Sequence, residues 1–363
     1  MTGHIHSSGE LIAERYRIVE FLNEGGMQEV YVADDEKLKR RVALKVPKTT
    51  SAERRFDRSA RLSAKVIHPN VAATFDYFED SGRGYLIEEL VPGSDLKVRF
   101  DTEFYYLDPR LAAYVLVQLA RGVAAAHHAG VCHRDLKPSN VIVSSDANLS
   151  VVKITDFGIA KLAESELAEG VEKFGKDESS ITGSKTLVGA IPYMAPEHFL
   201  TPGKASLPGD VWAIGAILYQ LLSGEPPFGR GVASIAKILS AETKVVPPPL
   251  FFTKASFKPL EEELWKVLTS CLQYEPANRP TADDLVRSAS ELCYSSAERM
   301  VGVVTNYGDR EGNWGFISCW PNDAFIHGSC FYGRGIKGGL RVNFAPHQGI
   351  PNPRASPALP LRD

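Results

Sequence analysis

Four short polar motifs stand out along the chain. Val42-Ala43-Leu44-Lys45 ends an apolar run with a lysine. His133-Arg134-Asp135-Leu136-Lys137-Pro138-Ser139-Asn140 sets two cations, a carboxylate and a carboxamide within eight residues. Asp156-Phe157-Gly158 begins sixteen residues after Asn140, and Ala195-Pro196-Glu197 lies downstream. Carboxylates and carboxamides offer the hard oxygens that Mg²⁺ prefers. Lysines suit phosphate, and a carboxylate can accept a proton from a hydroxyl. A plainer alternative is that these polar groups only cap turns, but that does not account for four motifs in a fixed order.

In order and spacing the motifs resemble the eukaryotic-type serine/threonine protein kinases of bacteria, from about Arg15 to Leu292. The resemblance implies an α+β, bilobal kinase fold with ATP and Mg²⁺ as cofactors and a protein as substrate. Phosphoryl transfer leaves little covalent work for a protein, so positioning and charge neutralisation dominate. Lys45 matches the strand lysine that holds the α- and β-phosphates. Asp135 matches the acceptor of the hydroxyl proton, and Lys137 the lysine beside the transferred phosphate, which favours Ser or Thr over Tyr. Asn140 and Asp156 match the Mg²⁺ ligands. Gly25, Gly26 and Val30 fall in the loop that covers the phosphates, and Glu89 and Val91 in the hinge beside the adenine. Glu197 and Arg279 stand where the family forms a buried ion pair, and Asp210 where an aspartate bonds the catalytic-loop backbone. Arg134 matches an arginine that receives a phosphorylated activation loop. The polar segment Leu162–Leu187 suits such a loop. Thr182, Ser184 and Thr186 are its candidate phosphosites, with Ser179 and Ser180 behind them.

The pattern departs from the family at four places. The phosphate-covering loop reads Asn23-Glu24-Gly25-Gly26-Met27-Gln28-Glu29-Val30, so only the middle glycine survives, and Gln28 adds bulk where backbone should approach phosphate. The helix position expected to supply a glutamate partner for Lys45 is Ser59, with Asp57 available only by a shift of register. Ala190 replaces a threonine whose hydroxyl would bond the catalytic Asp and Lys. Glu88 puts a carboxylate just before the hinge, where it could pair with Lys45. These departures favour an alternative reading, a weakly active or inactive pseudokinase scaffold. The intact set of Lys45, Asp135, Asn140 and Asp156 opposes it.

The elements that must position these residues are legible as patterns. Strands are expected at Tyr16–Leu22, Glu29–Asp34, Arg41–Val46, Ala73–Glu79 and Arg83–Leu90, with one helix at Ala52–Val66. From Pro109 the pattern turns helical: Leu111–Ala129, Leu207–Ser223, Val232–Ser240, Leu260–Gln273 and Thr281–Ser296, with short strands near Val141–Val143 and Val151–Thr155. This divides the chain into an N-terminal segment (1–14) and a kinase domain (15–298), with an N-lobe at 15–90 and a C-lobe at 91–298. The segment before residue 15, with His4 and His6, reads as a solvated, mobile terminus.

After residue 299 the character changes again. Val301–Thr305, Asn313–Ser318, Ala324–Ile326 and Leu340–Phe344 read as strands, and Pro346–Pro360, with five prolines, as irregular or weakly strand-like. Asn313-Trp314-Gly315-Phe316-Ile317 and Ala324-Phe325-Ile326-His327 resemble the two RNA-binding strands of bacterial cold-shock domains. That resemblance implies a small all-β barrel of the oligonucleotide-binding type over 299–363, its final strand degraded. Trp314, Phe316, Phe325 and His327 would then stack bases of single-stranded RNA or DNA. The alternative is that these rings form a barrel core or a surface that docks on the kinase.

Composition sets the remaining bounds. The 363 residues carry a formal charge of −3, which excludes a strongly basic nucleic-acid binder. The charge is uneven: residues 300–363 hold six Lys and Arg against four Asp and Glu, a net +2 that leaves −5 for the rest. Five cysteines without a C-x-x-C pair point to free thiols in a reducing compartment. No signal peptide or membrane span is visible, so the expected location is the cytoplasm with no membrane partner.

Overall fold

A computed structural model describes residues 3–25, 28–157, 185–201, 206–241, 244–292, 294, 297–308, 312–319 and 322–363, and the side chains of these except 50–55 and 185–187. The N-lobe is a six-stranded antiparallel sheet in the order β1-β2-β3-β4-β6-β5. Its strands are β1 (Leu11–Ile12), β2 (Tyr16–Glu24), β3 (Gln28–Asp35), β4 (Arg40–Pro47), β5 (Thr74–Asp80) and β6 (Arg83–Glu89), with helix α1 (Thr50–Ser63) between β4 and β5. The two-residue period of a strand divides the sheet into two faces. On one face Val42, Leu44 and Val46 pack with Tyr16, Ile18, Tyr31, Tyr85 and Ile87. On the other, Leu86 packs against Phe56 and Ala60 of α1. Lys45 lies opposite Leu86, and Ala43 opposite Glu88. Cross-strand partners share a face, so Lys45 and Glu88 are diagonal neighbours on the side that carries α1.

The N-terminal segment is not the solvated terminus expected from its polarity. His6 is buried; its N–H donates to the Tyr31 hydroxyl at 3.1 Å, and its ring sits 3.2 Å from the Tyr85 hydroxyl and 2.9 Å from Glu10. The Ile5 N–H donates to Glu29 at 2.9 Å, and the His4 ring stacks on Phe21. The physical reason is the aromatic outer face of the sheet, which must be covered from water by something.

The C-lobe is built on α3 (Pro109–His128), whose apolar residues bury against the helices Leu207–Ser223, Lys258–Cys271 and Ala282–Ser290. Asp108 caps α3 at Arg110 and Leu111, with Pro109 in its first turn. A three-stranded sheet of β7 (Ser94–Asp95), β8 (Val141–Val143) and β9 (Val152–Ile154) sits at the cleft, and α2 (Leu96–Thr102) follows β7.

The last part of the chain is a closed five-stranded barrel in the order β10-β11-β12-β14-β13. Its strands are β10 (Met300–Tyr307), β11 (Trp314–Ser318), β12 (Ala324–His327), β13 (Arg341–His347) and β14 (Arg354–Pro360). The proline-rich tail therefore contains the strand that closes the barrel. Its ladder with β12 is the single pair Phe325–Arg354, while β13 pairs with it from Val342 to His347. A strand bonded mainly on one side admits prolines as an edge strand does. Val304, Ile317, Ala324, Ile326, Phe331, Val342, Phe344, Ala355 and Ala358 fill the barrel.

The barrel is fastened to the C-lobe. The Arg299 guanidinium lies 2.6 Å from the buried Asp108 carboxylate and donates to Asn343 at 2.5 Å. Asn343 in turn donates to the Ala147 carbonyl at 2.8 Å. Leu359 and Leu361 belong to the C-lobe core, and Arg362 donates to the Phe100 and Phe104 carbonyls below α2.

Candidate active site

The loop after α3 is held by one buried carboxylate. Asp210 accepts the N–H groups of His133 at 2.8 Å and Arg134 at 2.9 Å, and lies 2.9 Å from the His127 ring. Burial pushes its carboxyl up, but the His127 hydrogen bond and nearby imidazoles outweigh this and hold it below its ordinary value. The anchored backbone turns at Arg134, whose φ is 69°. His133 then bonds the Thr155 carbonyl at 2.9 Å, which ties this loop to the end of β9, just before Asp156.

Within the loop Lys137 lies 2.7 Å from the Asp135 carboxylate. Asn140 donates through Nδ2 to the Asp135 carbonyl at 2.7 Å, which turns its Oδ1 the other way. Ala190 is buried, and the pairing of Asp135 with Lys137 forms without a hydroxyl from that position. Below the site, Arg279 and Glu197 make the bidentate pair implied by the motifs, at 2.7 and 2.9 Å.

Four side chains meet on the N-lobe side. Lys45 is 5% exposed; its Nζ lies 2.6 Å from Glu88 and 2.7 Å from Asp156. Gln28 donates through Nε2 to the same Asp156 oxygen at 3.0 Å. Burial opposes charge on all three ionisable groups. On Lys45 the attraction of Asp156 and Glu88 outweighs it, so the ammonium is held more firmly than usual. On Asp156 the Lys45 charge and the bonds from Lys45 and Gln28 outweigh it, and the carboxyl sits below its ordinary value. On Glu88 burial prevails over Lys45, and the carboxyl is raised. Asp156 adopts a φ of 63°, which places its carboxylate toward this cluster.

Among the described side chains of helix α1, residues 56–63, none supplies the carboxylate partner that the helix was expected to lack. Ser59 is 2% exposed and donates instead to the Phe157 carbonyl. A shifted register does not recruit Asp57, which pairs with Arg61 one turn on at 3.0 Å. Glu88 fills the place, as its position before the hinge suggested. The Gln28–Asp156 and Ser59–Phe157 bonds were not foreseen; their only signal in the sequence is a polar side chain where the motif has glycine or glutamate.

The other expected site residues sit as follows. Gly25 is exposed at the tip of the β2–β3 turn, its N–H on the Gln28 carbonyl at 2.9 Å. Val30 lies opposite Lys45 in the β3–β4 ladder. Val91 is buried in the hinge. The Glu89 carboxylate accepts from Lys153 at 2.8 Å and from the Ala73 N–H at 3.2 Å, so it ties the hinge to the C-lobe. Gly26, Gly158, Ser179, Ser180, Thr182 and Ser184 lie outside the described residues, as does the side chain of Thr186.

On the barrel, Trp314, Phe316 and Phe325 share the outer face, with ring centroids 5.9–6.0 Å apart. His327 is exposed and lies opposite Trp314 in the ladder. Gly315 and Ile317 alternate inward, so the three rings do not form the barrel core. Gly315 is required there, because a Cβ would stand 2.0 Å from the Asn306 carbonyl oxygen.

Comparison with known proteins bears on the first three quarters of the chain. The protein kinase domain model matches residues 16–289. Serine/threonine-protein kinase PrkC of Bacillus subtilis is 34% identical over 242 residues, which cover 65% of this chain and 35% of the relative. Serine/threonine-protein kinase PknA of Mycobacterium tuberculosis is 35% identical over 253 residues, 67% of this chain and 54% of the relative. The chain thus spans about a third to a half of the length of these curated relatives. Among solved structures, the PknI kinase domain of Mycobacterium tuberculosis aligns with a TM-score of 0.56 at 22% identity, over 80% of this chain and 99% of that one. Rad53 in complex with AMP-PNP aligns with a TM-score of 0.53 at 23% identity, over 76% of this chain and 64% of that one. At such identities these two likenesses speak for the fold. Together with the converging motifs and the match over residues 16–289, they show that the chain belongs to the protein kinase domain family.

Proposed function

We propose that the chain is a protein serine/threonine kinase, which transfers the γ-phosphoryl group of Mg-ATP to Ser or Thr hydroxyls of a partner protein or of itself. The observation that carries this reading is the convergence of Lys45, Asp135, Asn140 and Asp156 from distant parts of the chain onto one cleft. The donor set fits the cofactor: the Asp156 carboxylate and the Asn140 Oδ1, which the Nδ2 bond to Asp135 leaves available, are hard oxygens suited to Mg²⁺. Mg-ATP, when bound, supplies the phosphoryl group and the neutralising charge. Asp135 takes the proton of the acceptor hydroxyl, and Lys137 beside it faces the transferred group. Lys45 meets the phosphates, Gly25 and Val30 line the roof, and Glu89 and Val91 form the hinge at the adenine. Asp156 stays ionised at neutral pH because its carboxyl is held low. Mass spectrometry after incubation with Mg-ATP tests the acceptor class: phosphoserine or phosphothreonine is expected. Phosphotyrosine alone would overturn the Ser/Thr assignment.

One observation favours a second reading, a pseudokinase scaffold. Lys45 and Gln28 both bond the same oxygen of Asp156, the group that must turn to a cation. On that reading Mg-ATP raises the melting temperature but no phosphate is transferred.

For the barrel we propose a cold-shock-like, oligonucleotide-binding-type module that stacks single-stranded RNA or DNA on Trp314, Phe316, Phe325 and His327. Support comes from three outward rings on adjacent strands. A net charge of +2 in this region predicts modest affinity with a shallow salt dependence. Quenching of tryptophan fluorescence by a single-stranded oligonucleotide, lost in Trp314→Ala, is the expected outcome. A change in phosphorylation rate on adding the oligonucleotide would show that the module regulates the kinase.

A further inference from the structure

Two replacements in this chain are complementary. Ser59 stands at the α1 position where a carboxylate was expected, and Glu88 adds one on β6, diagonal to Lys45 on the same sheet face. The β4 and β6 strands hold their register through four consecutive cross-strand pairs, from Val42–Glu89 to Lys45–Leu86. Lys45 and Glu88 are therefore fixed to each other by the sheet and not by the docking of a helix. Ser59 meanwhile engages the Phe157 carbonyl, and Asp57 is committed to Arg61.

We propose that Glu88 is the positioning residue that orients Lys45 for phosphate contact, in place of a carboxylate from α1. Asp156 also touches Lys45, but it is the group that must turn to Mg²⁺ when the nucleotide arrives. Of the two carboxylates that meet Lys45 among the described residues, Glu88 has no such second duty and can hold the lysine through the reaction. An isolated buried carboxylate would be costly, and a pair with Lys45 at 2.6 Å offsets that cost. It follows that the lysine's orientation is independent of where α1 sits. In this chain, movement of α1 would not switch the lysine on or off.

This inference rests on the kinase reading, and the experiment separates the two. Single-turnover phosphoryl transfer is measured at saturating Mg-ATP for the wild type, Asp57→Asn, Glu88→Gln, Glu88→Asp and the double variant Glu88→Gln/Ser59→Glu. In parallel, crystals of the wild type are grown with Mg²⁺ and a non-hydrolysable ATP analogue. Glu88→Gln should slow the chemical step about 10- to 100-fold. Asp57→Asn should stay within about two-fold, and Glu88→Asp should retain part of the rate. Restoring a carboxylate at position 59 should recover at least about five-fold of what Glu88→Gln lost. In the crystals Lys45 Nζ should remain within about 3.2 Å of Glu88. A Glu88→Gln rate equal to that of the wild type would overturn the inference, and so would a lysine that leaves Glu88 in the nucleotide complex. If Glu88→Gln does not fold, Glu88→Asp and the crystals decide. If the wild type transfers no phosphate, the kinase reading falls, and the crystals still report which carboxylate holds the lysine.

Discussion

Gln28 stands where the motif calls for glycine, and its carboxamide donates to the carboxylate that should bind a cation. A hydrogen bond to a charged group contributes about 1.5–3 kcal/mol, and on the proposed kinase reading it must break before Asp156 can turn to Mg²⁺. Gln28→Gly is therefore expected to tighten Mg-ATP binding about ten-fold by titration calorimetry. Weaker binding in that variant would mean that the carboxamide contacts the nucleotide instead. At this scale the sequence was informative about identities and poor about partners. Lys45, Asp135, Asn140 and Asp156 could be named because the motifs that hold them resemble, in order and spacing, those of the kinase family. The bonds of Gln28 to Asp156 and of Ser59 to Phe157 span 128 and 98 residues and obey no local period.

Strands and helices were legible where a long apolar pattern marks them, but the short α2 was not read although Leu96 and Phe100 are buried. β4 is an apolar run buried continuously from Val42 to Pro47, α3 carries a periodic apolar stripe, and both elements fall within two residues of expectation. The closing strand β14 was hidden because proline suppresses the strand signal, and its pairing depends on an edge that only the closed barrel creates. The N-terminal segment was hidden because its backbone N–H groups and the His6 ring find partners on β3 and β6, far along the chain. One link in the N-lobe gives a test of element stability. Asp35, at the end of β3, accepts from Arg15 at 2.7 and 3.0 Å and from the Lys37 and Leu38 N–H groups at 3.1 Å. The Arg15 hydrogen bonds hold its carboxyl down to about 2, below an ordinary value of 3.8. A carboxyl lowered on folding stabilises above its unfolded value and loses that contribution as pH falls toward its folded value. Asp35→Asn should cost about 2 kcal/mol at pH 7, and the gap to wild type should close between pH 4 and pH 2. Urea melts across that range check it; a gap independent of pH would assign the cost to packing.

On the scale of the whole molecule, the barrel and the C-lobe form one packed body. Arg299 and Asp108 are both buried at their junction, and Leu359 and Leu361 complete the C-lobe core from the last strand and its exit. Arg299→Ala would leave the Asp108 carboxylate buried without its partner, at a cost of about 3–5 kcal/mol read by denaturant melts. Cutting away residues 300–363 should likewise lower the melting temperature of the kinase lobes, because it exposes the sites of Leu359, Leu361 and Arg362. Substitution of Trp314, Phe316 and Phe325 on the outer face is thus the cleaner way to ask what the barrel binds. Among the described residues no helix is long and apolar enough to cross a membrane. The central claim is that the cleft transfers phosphate with Asp135 as the proton acceptor. Its most direct test is incorporation of label from γ-labelled ATP by the full chain and by Asp135→Ala. Phosphate should enter the wild type, and the variant should lose at least about 100-fold of the rate. Equal labelling of the two proteins would contradict the account.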